Sequence, residues 1–249
     1  MIKSEPNFID FHKNKNSLKE WLINFKFKGE RDFFTYKKLK NLESSAKEYF
    51  DDIKKVLPDF DFSDEKDMID IGAHHGSVSI YAATLGANVV AYEPNPINYE
   101  ILNINIKANS DLMVESYNNA VGQNAGNLPF NFGETSTTGS MLNVGRDWKR
   151  TDNTINVNII GINDILSKFN NIKLLKMDCE GCEYGVFESI SNDNFNKVEV
   201  FYVEVHPTKH NKISDFENIM KNKKCRYVKK EAAHGCYEFI CSNNIGQFR

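Results

Sequence analysis

The stretch that most constrains this chain is Asp67–Ala91, D-M-I-D-I-G-A-H-H-G-S-V-S-I-Y-A-A-T-L-G-A-N-V-V-A, followed directly by Tyr92-Glu93-Pro94. An apolar run ends at Asp70 and breaks into a glycine turn, Gly72-Ala73-His74-His75-Gly76. A helical pattern follows, and a second apolar run ends in Glu93. The pattern predicts a strand, a tight loop, a helix and a parallel strand, with the acid at the second strand's C-terminal end. In an open α/β sheet this puts Gly72 and Glu93 in one crevice, where such folds bind nucleoside-bearing ligands. An ionised carboxylate at that point can accept from both ribose hydroxyls.

What the loop lacks narrows the ligand. A dinucleotide fingerprint needs glycines at 74 and 77, where His74 and Ser77 stand, and a histidine there keeps the backbone away from a pyrophosphate. No Gly-Lys-Ser/Thr triplet occurs, so a Walker-type loop is absent. Asp70 repels phosphate and suits an ammonium group. S-adenosylmethionine carries a ribose, an ammonium and a sulfonium and no phosphate, so the charges favour it. The bland alternative is a helix N-terminus capped by two acids.

At 249 residues the chain suits one large α/β domain with an appendage, and 41% hydrophobic content supplies a sizeable core. A net charge of −3 gives no global sign of nucleic-acid binding. Residues 1–40 are the exception, with 10 Lys/Arg against 5 Asp/Glu, or +5. Trp21 and several phenylalanines share that segment, which favours an amphipathic helical cap over an RNA-binding arm. Five cysteines without a signal peptide point to a reducing, cytoplasmic setting. The lone C-x-x-C of Cys179 and Cys182 lacks a second close pair, so the sulfurs read as packing groups and no metal is expected. No apolar run is long enough to span a membrane.

Residues 1–62 read as a helical N-terminal extension, with one apolar stripe at Leu18, Trp21, Leu22 and Phe25 and another from Leu42 to Val56. Residues 63–249 form the second unit. Strands are expected at Met68–Ile71, Val89–Tyr92 and Leu112–Tyr117, with helices at Val78–Leu85 and from Asn95 to about Asn109. Residues 119–145, rich in turn formers, read as a β-hairpin insertion. The rhythm resumes with strands at Ile155–Ile160, Ile172–Met177 and Val198–Val205. Helices are expected near Asn163–Phe169, Glu183–Ser189 and Ser214–Asn222, with final strands near Arg226–Lys229 and Tyr237–Cys241. This alternation predicts an α/β, doubly wound sheet.

Two further strand ends carry candidate chemistry. Leu174–Glu183 reads L-L-K-M-D-C-E-G-C-E, with Asp178, Glu180 and Glu183 crowded together where a cation could gather them. Val203-Glu204-Val205-His206-Pro207 places a carboxylate within an apolar run and a histidine able to act as a base near neutral pH. The alternatives are an acid cluster capping a helix and a satisfied core histidine.

D-I-G-A-H-H-G, A-Y-E-P-N-P-I-N-Y-E-I-L-N-I-N and L-L-K-M-D-C-E-G-C-E together resemble the FkbM family of S-adenosylmethionine-dependent methyltransferases, over about residues 67–206. The resemblance implies the class I methyltransferase-like (Rossmann-like) fold and O-methylation of a hydroxyl on a sugar, glycan or natural product. It implies that Asp70, Gly72 and Gly76 line the methionine end, Glu93 binds the ribose, and Asn119 and Ala120 lie near the adenine. Ala73, His75 and Pro94 complete that cofactor set. Asp178 matches the acid near the transferred methyl, with His206 and Glu204 as further catalytic candidates. His74-His75 departs from the asparagine and apolar residue usual there. A metal on Asp178, Glu180 and Glu204 could instead activate the hydroxyl, but no spacing specifies one. The rivals are an RNA 2′-O-methyltransferase, suggested by the basic N-terminus, and a non-catalytic nucleoside-binding scaffold. The sequence leaves the acceptor and the oligomeric state open.

Overall fold

A computed structural model describes residues 61–132, 139–140, 154–232 and 235–242. The expected helices of residues 1–60 and their basic face lie outside the described residues.

The expected alternation forms. Strand β1 (Asp67–Ile71) leads through the glycine loop into α1 (Ser77–Thr84), then β2 (Asn88–Tyr92), α2 (Pro96–Ala108) and β3 (Val114–Tyr117). Asn95 starts α2 by accepting from the Ile97 N–H, and Pro96 stands at the first helical position, where its missing N–H costs nothing. After an intervening segment come α3 (Ile162–Leu166), β8 (Ile172–Met177), α4 (Glu183–Ser189), α5 (Asn192–Phe195), β9 (Val198–Val205), α6 (Ile213–Asn222), β10 (Arg226–Glu231) and β11 (Tyr237–Ser242). The short helix α5, started by Ser191, carries too little periodicity for sequence to reveal.

These strands form a seven-stranded sheet, ordered β10-β11-β9-β8-β1-β2-β3. β1 pairs in parallel with β2 and β8, and β8 with β9. β11 lies antiparallel between β9 and β10. β8 is buried along nearly its whole length, as a central parallel strand must be. Two apolar cores cover its faces. One packs Phe187, Phe195, Phe201, Phe216 and Phe239, with Phe187 edge-on to Phe195 and Phe201, and the other gathers Phe62, Met68, Tyr81, Leu102 and Leu174.

The expected insertion is larger than a hairpin. β4 (Ala120–Gly122), β5 (Gly126–Phe132), β6 (Gly139–Ser140) and β7 (Thr154–Gly161) form a second sheet, ordered β4-β7-β5-β6. β7, expected in the main sheet, is the spine of this one, pairing antiparallel with β5 and parallel with β4. Its alternating burial is that of a strand with one wet face.

The cysteines also depart from expectation. Cys179 and Cys182 form one disulfide (Cα–Cα 5.5 Å) and Cys225 and Cys241 another (Cα–Cα 6.1 Å). They are cross-links rather than spectators, because β-sheet pairing brings the second pair together from distant sequence. No helix among the described residues is long and apolar enough to cross a membrane.

Candidate active site

The C-terminal ends of β1, β2 and β8 open into a cleft of about 920 Å³, its open mouth included. Of the residues singled out from sequence, Gly72, Ala73, Glu93, Pro94, Asn119, Ala120 and Asp178 line it. Asp70, His75, Gly76, Glu204 and His206 do not. Ile71, Val121 and Phe130 supply apolar wall, the last two from the second sheet.

Glu93, at the end of β2, is buried with both carboxylate oxygens placed. Oε2 accepts from the His74 N–H and Oε1 from the Asn95 N–H, each at 2.8 Å. Burial pushes its pKa up to about 7 even though these two donors pull the other way. The Asn98 side chain is a third hydrogen-bond partner, and the acceptor capacity left beyond these three is what a donor in the cleft can use.

The glycine loop works differently from the sequence reading. Gly72, at φ 77°, has its open side against β8, where an added Cβ would overlap the Asp178 carbonyl oxygen. Gly76, at φ 87°, has its open side against Leu102 of α2. Gly72 thus permits close approach of the two backbones while lining the cleft, and Gly76 leaves room for the Leu102 side chain. Gly72→Ala should therefore lower thermal stability and ligand binding together. A variant with a native melting temperature and lost binding would return the glycine to the ligand. His74, at φ 53°, takes the place on the wall expected of His75. His75 is fully buried and stacked on His74, with ring centroids 3.7 Å apart. Burial, and then the His74 ring, hold its pKa well below the ordinary range, so it stays neutral.

Lys176, near the end of β8, is a site residue that sequence reasoning missed. Its ammonium donates to the Gly72 carbonyl (2.8 Å) and lies 3.2 Å from Asp70 and 3.7 Å from Asp178. Burial lowers its pKa, but Asp70 and Asp178 outweigh that and raise it, so it stays charged. Asp70, whose other oxygen accepts from Ser79 Oγ (2.6 Å), is thus an anchor behind the cleft wall. The signal was a lysine inside the apolar run L-L-K-M.

The acid cluster after β8 resolves into separate roles. The Asp178 N–H donates to the Ile71 carbonyl (3.0 Å), fixing the residue at the mouth with its side chain partly open to the cleft. Glu183, fully buried, accepts from the Cys179 N–H (3.1 Å) and the Gly181 N–H (2.9 Å), holding a loop with Glu180 at φ 55° and Gly181 at φ 113°. It also accepts from His206 Nδ1 (2.9 Å). His206 Nε2 faces Asp178 (3.9 Å), Glu180 (3.6 Å) and Glu204 (3.7 Å). Burial lowers the His206 pKa, but its contacts with Cys236, Glu183 and Asp178 prevail and push it up to about 12. His206 is therefore an imidazolium at neutral pH and not the base expected from sequence. Burial raises Glu204 to about 7, with Asp178 adding to the rise and His206 opposing it.

The sequence matches the model of the methyltransferase FkbM domain over residues 70–229. The chain belongs to the FkbM methyltransferase family. Among solved structures, an FkbM methyltransferase from Methylobacillus flagellatus KT is similar, with a TM-score of 0.51 and 18% identity. That match covers 73% of this chain and 45% of the other, so this chain spans under half the length of that structure. A precorrin-6y C5,15-methyltransferase from Geobacter metallireducens GS-15 gives a TM-score of 0.43 and 13% identity over 76% of this chain and 85% of the other. No curated protein matches the sequence. The strand order of this FkbM chain, with one antiparallel strand between two parallel ones, is the class I methyltransferase arrangement.

Methyltransferases of this kind generally draw on S-adenosylmethionine. The residues present fit that molecule. The cleft pairs an apolar wall with a carboxylate that has acceptor capacity left, and its loop turns on His74 where a phosphate cradle would need glycine.

Proposed function

We propose that this protein transfers a methyl group from S-adenosylmethionine to a hydroxyl oxygen of a sugar, glycan or natural product. One observation carries the reading: Glu93 and Asp178, each directly after a different strand, line the same cleft. The cofactor, when bound, supplies an electrophilic methyl on a sulfonium and leaves as a thioether. Glu93 would hold the ribose hydroxyls, and Asn119, Ala120 and Phe130 would flank the adenine. With alignment of acceptor and methyl supplying most of the rate, the protein has one proton to remove from the attacking hydroxyl. Asp178 lines the cleft and is partly open to it, so it is assigned that proton. His206, already protonated, faces Asp178 at 3.9 Å and does not compete for that proton.

Incubation with labelled S-adenosylmethionine and separate panels of sugars, phenols and RNA tests the reading. Label on the sugars or phenols is expected. Label on RNA alone, with steep salt dependence, would move the assignment to 2′-O-methylation. Cofactor binding with no transfer to any acceptor would favour a scaffold.

Two predictions concern Glu93. Glu93→Ala should weaken cofactor binding by roughly 2–4 kcal/mol through two lost charge-assisted hydrogen bonds. Unchanged affinity by calorimetry would remove Glu93 from the ribose. The second is a pH dependence. Because the folded pKa is raised to about 7, Glu93 stabilises the empty protein below its unfolded value and that contribution is lost as pH rises through 7. Ribose hydroxyls favour the ionised form, so cofactor affinity should rise over the same interval and level off above it. Glu93→Gln should flatten that rise. A wild-type affinity independent of pH from 5 to 8 would count against the assignment.

A further inference from the structure

Beyond Asp178, the ends of β9 and β11 meet. Their antiparallel register sets Tyr237 opposite Val205, which brings Cys236 opposite His206 across a long stretch of sequence. Glu204 lies two residues before His206 and so faces the same side of β9. Glu204, His206 and Cys236 each offer a ligand atom, all within 4.8 Å of one another. Cys236 is buried and stands outside both disulfides. Two donors each about 2.1 Å from a tetrahedral ion stand roughly 3.4 Å apart, close to the 3.7 Å between His206 Nε2 and Glu204 Oε1.

A second observation points the same way. The His206 ring is oriented through Nδ1 by Glu183, and that carboxylate is itself pinned by two backbone N–H groups. A carboxylate behind an imidazole is the arrangement that aims metal-ligating histidines. The ring also hydrogen-bonds Cys236, and Nε2 is directed at Asp178, Glu180 and Glu204, which stand 3.6 to 3.9 Å from it. Four carboxylates thus surround one ring, while Lys176, which also approaches Asp178, is engaged by Asp70 and the Gly72 carbonyl. That excess of negative charge suits a divalent cation.

We propose that Glu204, His206 and Cys236 form a divalent-metal site, suited to zinc by its thiol, imidazole and carboxylate donors, with its fourth position open toward Asp178 and the cleft. Loading exchanges the ion for the His206 and Cys236 protons, two positive charges in and two out, so the bound ion takes the place of the imidazolium as the positive charge beside Asp178. The partial exposure of Asp178, Glu180 and Glu204 gives the ion its way in.

The test does not depend on methyl transfer. The full chain, stripped with a chelator, loaded with Zn²⁺ and desalted, should retain about one equivalent by elemental analysis. Loading with Co²⁺ should produce a near-ultraviolet sulfur-to-metal charge-transfer band. Cys236→Ser should abolish the band and weaken Zn²⁺ binding at least about tenfold, and Glu183→Gln should keep the band while weakening binding about 10–100-fold. Cys179→Ser/Cys182→Ser controls for the other sulfur pair and should keep both band and stoichiometry. Where Cys236→Ser does not fold, Glu204→Gln carries the test with the same tenfold loss. A folded wild type that retains no metal overturns the proposal. So does a band that survives Cys236→Ser and vanishes in Cys179→Ser/Cys182→Ser.

Discussion

Asp178→Asn is expected to lose at least about a hundredfold in turnover while S-adenosylmethionine affinity stays within a few-fold of wild type. The change keeps the shape of the side chain and removes the basic oxygen. The Asp178 backbone is held by Ile71, so the loop should not move. Neither neighbouring nitrogen can substitute as the base: His206 is an imidazolium, and Lys176 is kept charged by Asp70 and Asp178. A group that takes the acceptor's proton acts mainly in the transition state, so kcat should fall and ground-state binding should not. Steady-state kinetics beside calorimetry separate the two. Intact turnover with lost cofactor affinity would reassign Asp178 to the cofactor's ammonium group, and joint loss with unfolding would reduce it to a loop residue.

Lys176→Met should destabilise the protein by about 3–5 kcal/mol, because it leaves the wholly buried Asp70 without its counter-charge. In a domain of this size that corresponds to a fall in melting temperature of roughly 10 °C. The same change frees the Gly72 carbonyl, so the floor of the cleft should loosen as well. Adding Asp70→Asn to Lys176→Met removes the orphaned charge, and the double variant should recover much of the loss. If the single variant melts with wild type, the pair contributes nothing to the fold. If the double variant melts below the single, the cost lies in packing and not in charge.

The sheet was legible wherever burial imposed a period. Ile172–Met177, Glu183–Ser189 and Val198–Val205 form with the bounds the sequence suggests, because central strands and their crossover helix bury nearly every apolar position. β7 was misplaced because an alternating strand announces a wet face and a dry one, not which sheet it joins. The site was legible at strand ends, where Glu93 and Asp178 interrupt apolar runs. It was illegible where a residue's work depends on a partner far along the chain. Lys176 needs Asp70, His206 needs Glu183 at a helix start and Cys236 before another strand, and Gly72 needs the Asp178 carbonyl. Only register and crossover bring those groups together.

The antiparallel strand wedged between β9 and β10 also bears on how this molecule is made. Synthesis delivers β10 before β11, yet β10 joins the sheet only through β11. Until β11 emerges, the apolar strand β9 presents an unpaired edge, which is a template for pairing with another chain. A nascent chain stalled short of Tyr237 would therefore carry its cleft-forming half nearly complete and one side of its sheet adhesive. Sequestration of that edge, by delay or by a chaperone, is a requirement written into the strand order.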